Sequence, residues 1–379
     1  SDLTSGAKSA RLMSVRVIGL CLVLALSFTM VFAGCKRSSD QEEEEPIVEE
    51  PSEEEIFLWP YTGMEAENEE VIKNRPLSVK IENSAAARPQ MGINQADIVY
   101  ETMVEGGETR LNCIYQSNIP DEVGPVRSAR LSDLWIAPQY QGLFLYAGGN
   151  DEFKAGLKAS DIANMSYSIA SKIFYRVNFR SAPHNLYLSL SKAYDAAKDL
   201  GIETQSDTLI PWNFLELSRE ENEDSTTDAA VEDTTGSALS NATEDVVATA
   251  GAVTVSYAGY SAARWDWDEA SKSYLRSQGG KIHTDSDDER VTATNVVVLF
   301  AEYTQRSALD PAGHPTYDIA LGGTGKAMLF KGGYKYDCTW TAERDKPPVL
   351  TNSEGRKIPL YPGRTWVEVP TLSTSVTVE

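Results

Sequence analysis

The chain has 379 residues, of which 41% are hydrophobic and 24% are charged, so it is long enough for two globular domains of ordinary composition. Its formal net charge is −22, and most of that charge lies in two segments: residues 36–56 hold 2 basic and 10 acidic residues, and residues 219–246 hold 1 and 9. This acidic balance, with no broad basic surface, excludes nucleic acid as a partner, because phosphate backbones are bound by clustered Lys and Arg.

An apolar run at residues 17–33 follows three basic residues: Lys8, Arg11 and Arg16. A basic segment before an apolar run is typical of a secretory signal peptide. The run ends in Phe-Ala-Gly-Cys at Cys35, which matches the lipobox of bacterial lipoproteins except that Phe32 stands where Leu is usual. We predict a signal peptide over residues 1–35, diacylglycerol on the Cys35 thiol and a body held outside the cytoplasmic membrane. The alternative is an uncleaved transmembrane anchor of minimal length.

Two acidic segments are predicted to be disordered. Residues 36–56 contain no aromatic residue and almost no aliphatic one, so burial cannot offset the entropy of ordering. We predict an extended tether here, because like charges repel. The segment 219–250 is rich in Glu, Asp, Ser, Thr and Ala, and we predict a disordered linker between an N-terminal domain, 57–218, and a C-terminal domain, 251–379.

The N-terminal domain is predicted to be a mixed α/β layer structure. Short apolar runs indicate four strands, at residues 77–81, 98–100, 111–115 and 143–147. Three segments are predicted to be helices, at residues 125–139, 151–158 and 189–200. Pro125 suits a first helical turn, Ser189 suits an N-cap and Gly201 suits a C-terminal stop.

The start of the helix predicted at Pro125 is the sharpest candidate site. Its first amides lack partners and its dipole end is positive, while Arg127 and Arg130 lie three residues apart on one face. Arg110, at the start of a predicted strand, is expected to join them. Converging guanidinium groups at a helix N-terminus favour phosphate or carboxylate. The alternative is that the arginines pair with nearby acids: Glu101, Glu105, Glu108 and Asp133.

A second polar turn, at residues 182–185, contains one of only three histidines. Because histidine titrates near neutral pH, His184 suits general acid–base catalysis; the alternative is a structural hydrogen bond in a turn that proline stiffens and Asn185 caps. Strong catalytic or metal-binding signatures, such as G-x-S-x-G, HExxH or paired CxxC, are absent from the sequence. We predict neither a metal nor a cofactor.

The C-terminal domain is predicted to be mostly antiparallel β, since short alternating runs are separated by regular turns. With the N-terminal domain this gives an α+β fold. Trp265 and Trp267 share one strand face and are expected to pack in a core. The acidic stretch 283–289 lacks the glycine of a calcium loop and is expected to be a solvated turn. Cys113 and Cys338 are either buried thiols or an inter-domain disulfide.

Several longer motifs resemble the YerB-like family of Gram-positive lipoproteins, which is defined by a pair of domains of unknown function, the DUF3048 N- and C-terminal domains. The main matching segments are AARPQMGINQADI at 86–98, VEGGETR at 104–110, VGPVRSAR at 123–130, APHNLY at 182–187, TATNVVVLF at 292–300 and YPGRTWVEV at 361–369. The resemblance covers nearly the whole of the predicted mature chain, from Cys35 onward, apart from the acidic segments. It implies a lipid-anchored, two-part protein outside the cytoplasmic membrane, and it implies no particular activity.

Three functional interpretations remain open at this point. In the one we favour, an accessory protein of the cell envelope binds an anionic ligand, such as an envelope glycan, or a partner protein through an arginine-lined cleft in the N-terminal domain. The ligand-binding residues would be Asn83, Arg88, Arg110, Arg127, Arg130 and Asn185. In the second, a metal-independent hydrolase or transferase acts on envelope glycan or phosphodiester, with Glu105 and His184 moving protons and the arginines stabilising negative charge. The third is a structural interaction protein without a cleft.

Overall fold

The computed structural model describes residues 55–215, 246–257, 262–310 and 313–379. The predicted signal peptide, the lipidation site at Cys35, almost all of the tether and most of the linker lie outside the described residues. The body, Glu54–Glu379, is one compact unit. No helix in the described ranges is long and apolar enough to cross a membrane.

Strands dominate the described residues, and the helices are short. The strands are, in chain order, β1 Phe57–Leu58, β2 Glu65–Ala66, β3 Leu77–Glu82, β4 Ile98–Met103, β5 Thr109–Tyr115, β6 Glu122–Val123, β7 Leu143–Leu145, β8 Ala163–Asn164, β9 Phe174–Arg176, β10 Leu186–Ser189, β11 Val246–Thr249, β12 Ala252–Val255, β13 Ala263–Asp268, β14 Ser273–Gln278, β15 Lys281–Ile282, β16 Thr292–Ala293, β17 Asn295–Leu299, β18 Tyr303–Leu309, β19 Pro315–Ile319, β20 Gly323–Lys331, β21 Tyr334–Glu343, β22 Lys346–Thr351, β23 Thr365–Val369 and β24 Val376–Val378. The α-helices are α1 Glu69–Ile72, α2 Asp133–Gln139, α3 Asp151–Lys158 and α4 Ala193–Asp199. Short 3₁₀ turns occupy Ile93–Gln95, Glu105–Gly107, Ser171–Ile173 and Leu190–Lys192.

One eleven-stranded sheet combines strands from both predicted domains. Its order is β11-β21-β20-β17-β23-β4-β5-β3-β7-β8, with β22 also paired to β21. At its centre, β23 pairs in parallel with β17 on one side and with β4 on the other. These central strands are rich in apolar residues and are buried on both faces, as is usual for parallel strands. The two predicted domains therefore share a sheet, and their boundaries at 57–218 and 251–379 stay a prediction.

Side chains alternate between two faces of this sheet, which we call front and back. The front face, with Val79 and Cys113, is buried under α4, the small β6-β10-β9 sheet and a second-half sheet. The back face, with Tyr100 and Phe144, is buried under α2 and α3. These layers confirm the predicted α+β class. Cys338 lies in the back core and Cys113 in the front core, on opposite faces of the sheet, so the two are buried thiols and not an inter-domain disulfide.

The second half adds an antiparallel sheet of order β15-β14-β13-β12-β24, with β16 paired to β14. Its topology confirms the prediction of mostly antiparallel β structure in this half. Trp265 of β13 is fully buried, and its ring meets that of Trp366 edge-on with 5.2 Å between centroids. The core role predicted for Trp265 is therefore confirmed.

The acidic stretch 283–289 docks onto the first half, so the prediction of a solvated turn is wrong for its first residues. His283 and Asp285 are buried. The Asp285 carboxylate accepts hydrogen bonds from the backbone amides of Gly92 and Asn94 at 3.0 and 2.9 Å. These two bonds fix a hairpin of the second half against a loop of the first.

The helix predicted from Pro125 is wrong over its first half. Residues 125–130 are not helical, and α2 begins only at Asp133. The reason is that amides in this segment bond to other segments; the Arg127 amide, for example, donates to the Lys80 carbonyl at 2.9 Å. Amides committed to neighbouring strands cannot line a helix N-terminus, so the helix contribution to the predicted anion site is absent.

The other two predicted helices are confirmed, one with the predicted bounds and one with adjusted bounds. The helix at 151–158 is α3, with Asn150 as its N-cap. The helix predicted at 189–200 begins as a 3₁₀ turn and becomes α-helical at Ala193, and Ser189 makes no side-chain cap. Gly201 follows it with a φ of 70°, as expected of a helix stop.

Candidate functional site

Charged side chains gather where strands β3, β4 and β23 end. These strands run in the same direction, since β3 and β4 are both antiparallel to β5 and β23 is parallel to β4. Glu82 ends β3, and Glu101 and Glu368 lie near the ends of β4 and β23. Arg110, near the start of β5, faces Glu82 across the ladder. Ligands of open α/β sheets bind at the carboxyl ends of strands, so this edge is the candidate site.

On the back face, Arg110, Arg127, Arg130, Glu82 and Glu105 form what we call the guanidinium cluster. Glu105 binds Arg130 through two hydrogen bonds, at 2.6 Å from Nε and 2.8 Å from Nη2. The Nε of Arg127 lies 3.5 Å from the nearer oxygen of Glu82. Arg110 donates from Nη1 to a backbone carbonyl at 2.8 Å. The three predicted arginines therefore meet, but two of them already have a carboxylate partner.

Arg110 is the arginine of this cluster that forms no ion pair with a carboxylate in the described part of the chain. Three guanidinium groups share two carboxylates, and within the described ranges no carboxylate forms an ion pair with Arg110. Burial, followed by the charges of Arg130 and Arg127, lowers the pKa of Arg110 to about 9. The neighbouring Lys80–Asp133 pair is fully buried at 2.8 Å and balances its own charge. The guanidinium cluster thus carries a net positive charge at neutral pH.

The predicted histidine reaches this cluster. His184 Nδ1 lies 2.8 Å from an oxygen of Glu82, and the hydroxyl of Ser84 donates to the same oxygen at 2.8 Å. A carboxylate on Nδ1 orients an imidazole and leaves Nε2 to accept a proton, as in the histidine–carboxylate pairs of hydrolases. Asn185 lies apart, because its side-chain oxygen accepts a hydrogen bond from Arg176 at 2.6 Å.

On the front face, Glu101, Glu368 and Arg276 form what we call the buried carboxylate network. Glu101 and Glu368 are direct neighbours on the parallel β4–β23 pair, and all three residues are fully buried. Glu101 forms an ion pair with Arg276 and accepts hydrogen bonds from Asn83 at 3.0 Å and Thr109 at 2.7 Å. Two carboxylates therefore share one guanidinium group.

Aromatic rings complete this network. The Arg276 guanidinium lies 5.1 Å from the ring of Trp265 and 4.6 Å from the ring of Trp366. Glu368 accepts a hydrogen bond from the Trp265 indole at 2.8 Å. Burial, followed by the charge of Glu101, raises the pKa of Glu368 to about 8. Glu368 therefore holds a proton at neutral pH, which removes the surplus negative charge.

A cleft of about 430 Å³ opens beside the network, between a first-half loop and a second-half hairpin. The cleft is lined by Ala85, Arg88, Pro89, Gln278, Gly279, Lys281, Ile282, His283 and Thr284. Gln278 connects it to the network, since Gln278 accepts a hydrogen bond from Arg276 at 3.3 Å. Burial, followed by the charge of Arg276, lowers the pKa of Arg88. Two cations and no acidic residue line the cleft, a composition that favours an anionic ligand.

The structure brings all but one of the predicted residues to one sheet edge and divides them among three places. Those in or beside the guanidinium cluster are Glu105, Arg110, Arg127, Arg130 and His184. Arg88 lines the cleft, Asn83 supports the buried network, and Asn185 belongs to none of the three. Among the described residues, no group of three His, Cys, Asp or Glu side chains is placed to hold a metal ion.

Sequence reasoning missed four charged residues of this edge, Glu82, Glu368, Arg276 and Lys281, and named Glu101 only as a partner for the arginines. The three glutamates had a usable signal, because each follows an apolar strand run, as in VKIE, IVYE and WVE. Arg276 and Lys281 had none, because no local pattern shows that their hairpin packs against the loop around Arg88.

Two family profiles match the chain: the DUF3048 (protein of unknown function) N-terminal domain over residues 61–203 and the DUF3048 C-terminal domain over residues 253–367. YerB of Bacillus subtilis (strain 168), described provisionally as a lipoprotein, is 29% identical over 313 residues, which are 82% of this chain and 85% of YerB. The crystal structure of the YerB protein from Bacillus subtilis matches with a TM-score of 0.69 and 26% identity, over 85% of this chain and 99% of that chain. The chain belongs to the DUF3048, or YerB-like, family.

Proposed function

We propose that the chain is a lipid-anchored protein on the extracytoplasmic face of the membrane that binds an anionic envelope ligand in the cleft beside Arg88. The anchor rests on the lipobox at Cys35 and on the relative YerB, which is described provisionally as a lipoprotein. The proposal of an anionic ligand is inferred from the residues that line the cleft. The partners are then the membrane, through the lipid, and an anionic glycan or phosphate-bearing molecule of the envelope.

The observation that carries the ligand proposal is the charge of the cleft wall. Arg88 and Lys281 line the cleft, and none of its lining residues is acidic. Its volume of about 430 Å³ lies in the range of small-molecule sites. A hydrogen bond to a charged group contributes about 1.5–3 kcal/mol, so Arg88 and Lys281 together favour an anion over a neutral molecule.

The guanidinium cluster is the weaker candidate for simple binding, although it contains three of the predicted ligand-binding arginines. Arg130 is held by both oxygens of Glu105, and Arg127 faces Glu82. An incoming anion there would compete with carboxylates that are already in place. The cleft wall holds no carboxylate with which an anion would compete.

The proposal is tested by calorimetric titration of the full chain with glucuronate and with inorganic phosphate. We expect Arg88→Met and Lys281→Met each to weaken binding of the preferred anion about tenfold or more, since each removes a charge-assisted hydrogen bond. Lys158→Met, an exposed lysine on α3, is the matched control for loss of one positive charge and should bind as the parent chain does. Equal weakening by all three variants, or no binding of either anion, would overturn the proposal.

A second candidate is the metal-independent hydrolase or transferase, which one contact favours. His184 is oriented by Glu82 at 2.8 Å beside a cluster with surplus positive charge, so a base and an anion-stabilising group are adjacent. The proton-handling partner in this arrangement is Glu82. Glu105, the predicted one, is engaged by Arg130 through both oxygens.

This candidate predicts slow hydrolysis of bis(p-nitrophenyl) phosphate by the full chain. His184→Gln should lower the rate about 100-fold or more, the usual contribution of a general base. Lys158→Met serves again as the control and should keep the rate. A rate that His184→Gln leaves unchanged would remove the enzyme candidate and leave the binding proposal intact.

A further inference from the structure

The loop at residues 177–185, which joins β9 to β10, is docked beside the cleft. The guanidinium group of Arg180 donates hydrogen bonds to the backbone carbonyls of Ala86 and Pro89. Pro89 lines the cleft, and so does Arg88, which lies between these two carbonyls in the chain. The middle of the loop is therefore held against the segment that forms one wall of the cleft.

The far end of the same loop contacts the guanidinium cluster. The carbonyl of Pro183 accepts a hydrogen bond from Arg127 at 3.3 Å, and Nδ1 of His184 lies 2.8 Å from Glu82. The cleft and the guanidinium cluster are both positively charged. Because one loop connects two sites that attract anions, we call residues 177–185 and the adjoining Arg176 the bridging loop.

The bridging loop adds two positive charges of its own. Arg176 donates a hydrogen bond to the side-chain oxygen of Asn185, and Arg180 donates to the two carbonyls of the cleft segment. Within the described ranges, no carboxylate forms an ion pair with either arginine. Positive charge therefore continues from the cleft onto the loop, where a ligand with repeated negative charges would meet it and a small anion would not.

An exposed aromatic ring lies on the same loop. Phe179 is 63% exposed, so its ring is accessible to a ligand. The ring meets that of the buried Tyr187 edge-on with 5.9 Å between centroids, and the guanidinium group of Arg180 lies 5.9 Å from its centroid. One exposed apolar residue is ordinary by itself, but this ring lies next to a cation and between two positive sites. The apolar C–H face of a sugar ring packs well on such an aromatic surface.

We propose that the ligand is an anionic polysaccharide, with one acidic sugar in the cleft and a neighbouring sugar of the same chain packed on Phe179. This inference rests on the proposed binding function and adds the chemical class of the ligand. Two linked contacts bind much more tightly than one, because the second contact forms within the same complex. Nucleic acid is the less favoured polyanion, since the chain as a whole carries a net charge of −22.

The test compares galacturonate with tetragalacturonate, four units of that sugar acid in one chain, by calorimetric titration of the full chain. We expect tetragalacturonate to bind about 100-fold more tightly. Phe179→Ala should weaken binding of tetragalacturonate about tenfold and leave galacturonate unaffected, because only the longer ligand reaches the ring. Phe179→Tyr keeps an aromatic ring and should bind as the parent chain does. Leu58→Ala, which shortens an exposed apolar side chain on β1, is the matched control and should also bind as the parent chain does.

Two further ligands separate sugar recognition from charge alone. Butanetetracarboxylate has four carboxylates and no sugar ring, and we expect it to bind more weakly than tetragalacturonate. Equal affinity for the two would overturn the choice of a polysaccharide, as would tighter binding of a single-stranded oligonucleotide with four phosphates.

The remaining outcomes separate this inference from the proposed function. If tetragalacturonate binds no more tightly than galacturonate, or if Phe179→Ala leaves its affinity unchanged, the extended site is overturned and the anion cleft stands. Failure of both galacturonate and tetragalacturonate to bind would overturn the anionic glycan proposed for the cleft, and this inference with it.

Discussion

At this sheet edge the two faces carry net charges of opposite sign. The back face has more basic than acidic residues, and the front face has more acidic than basic residues. On the back face, the guanidinium cluster places three arginines around two carboxylates. On the front face, the buried carboxylate network places two glutamates around Arg276. Both are charge imbalances away from bulk water, and each must be relieved in some way.

Only one of the two imbalances can be relieved by a proton. Glu368 becomes neutral because its pKa is raised to about 8. Arg110 keeps its charge at neutral pH even with its pKa lowered to about 9. The front network is therefore a closed, neutral support behind the cleft. The back cluster stays positive and leaves part of its charge to solvent or to an anion.

The largest expected effect comes from breaking the front network. Arg276→Met removes the guanidinium group between Trp265 and Trp366 and leaves Glu101 as a buried carboxylate without its cation. Breaking a buried ion pair in this way destabilises proteins by about 3–5 kcal/mol. Denaturant unfolding of the full chain at neutral pH measures the loss.

The matched change on the back face is Arg110→Met. It removes a surplus charge and leaves no carboxylate without a partner, because Glu82 and Glu105 keep Arg127 and Arg130. We expect a loss below about 1.5 kcal/mol, because the charged hydrogen bond from Arg110 to a backbone carbonyl is lost while the repulsion from Arg127 and Arg130 is relieved. If the two variants are equally unstable, the difference between the faces is not one of charge balance.

A smaller effect is expected when pH is changed, because the stability of the folded chain depends on the protonation of Glu368 on the front face. The pKa of Glu368 is raised from 4.5 to about 8, so the folded chain keeps a proton that the unfolded chain releases. The contribution of Glu368 to stability is complete below pH 4.5 and is lost as pH rises toward 8. The slope is at most about 1.4 kcal/mol per pH unit for one proton.

Denaturant midpoints measured between pH 5 and pH 8 test this dependence. Glu368→Gln keeps a neutral acceptor for the Trp265 indole and should flatten the decline. Lys158→Met, far from any buried acid of the network, should keep it. A decline that persists unchanged in Glu368→Gln would assign the pH dependence to another group.

Local patterns predicted the elements of this fold well. The apolar run at 111–115 lies in β5, and the helix predicted at 151–158 is α3. Such runs were sufficient because burial on one or both faces imposes a fixed period on the side chains. The meeting of Arg127 and Arg130 was also predicted, but from a helix that does not form there.

What the sequence could not show depends on contacts between distant segments. Pro125 satisfies the local rule for a helix start, yet its carbonyl accepts a hydrogen bond from the Glu82 amide at 2.9 Å. Arg88 and Lys281 likewise both line the cleft, and no periodicity within either segment predicts that they lie on the same cleft wall. Tertiary pairing overrode a valid local preference in the first case and created a site without a local signal in the second.

The position of β23 between β17 and β4 has a consequence for how the protein is made. Until residues 365–369 have left the ribosome, the central strand of the sheet is missing, and the facing edges of β17 and β4 have no strand to pair with. Pairing across such sequence distances is slow, and open edges invite aggregation. The central sheet is therefore completed only after residues 365–369 have been synthesised, well after β4 and β17, the two strands on either side of them.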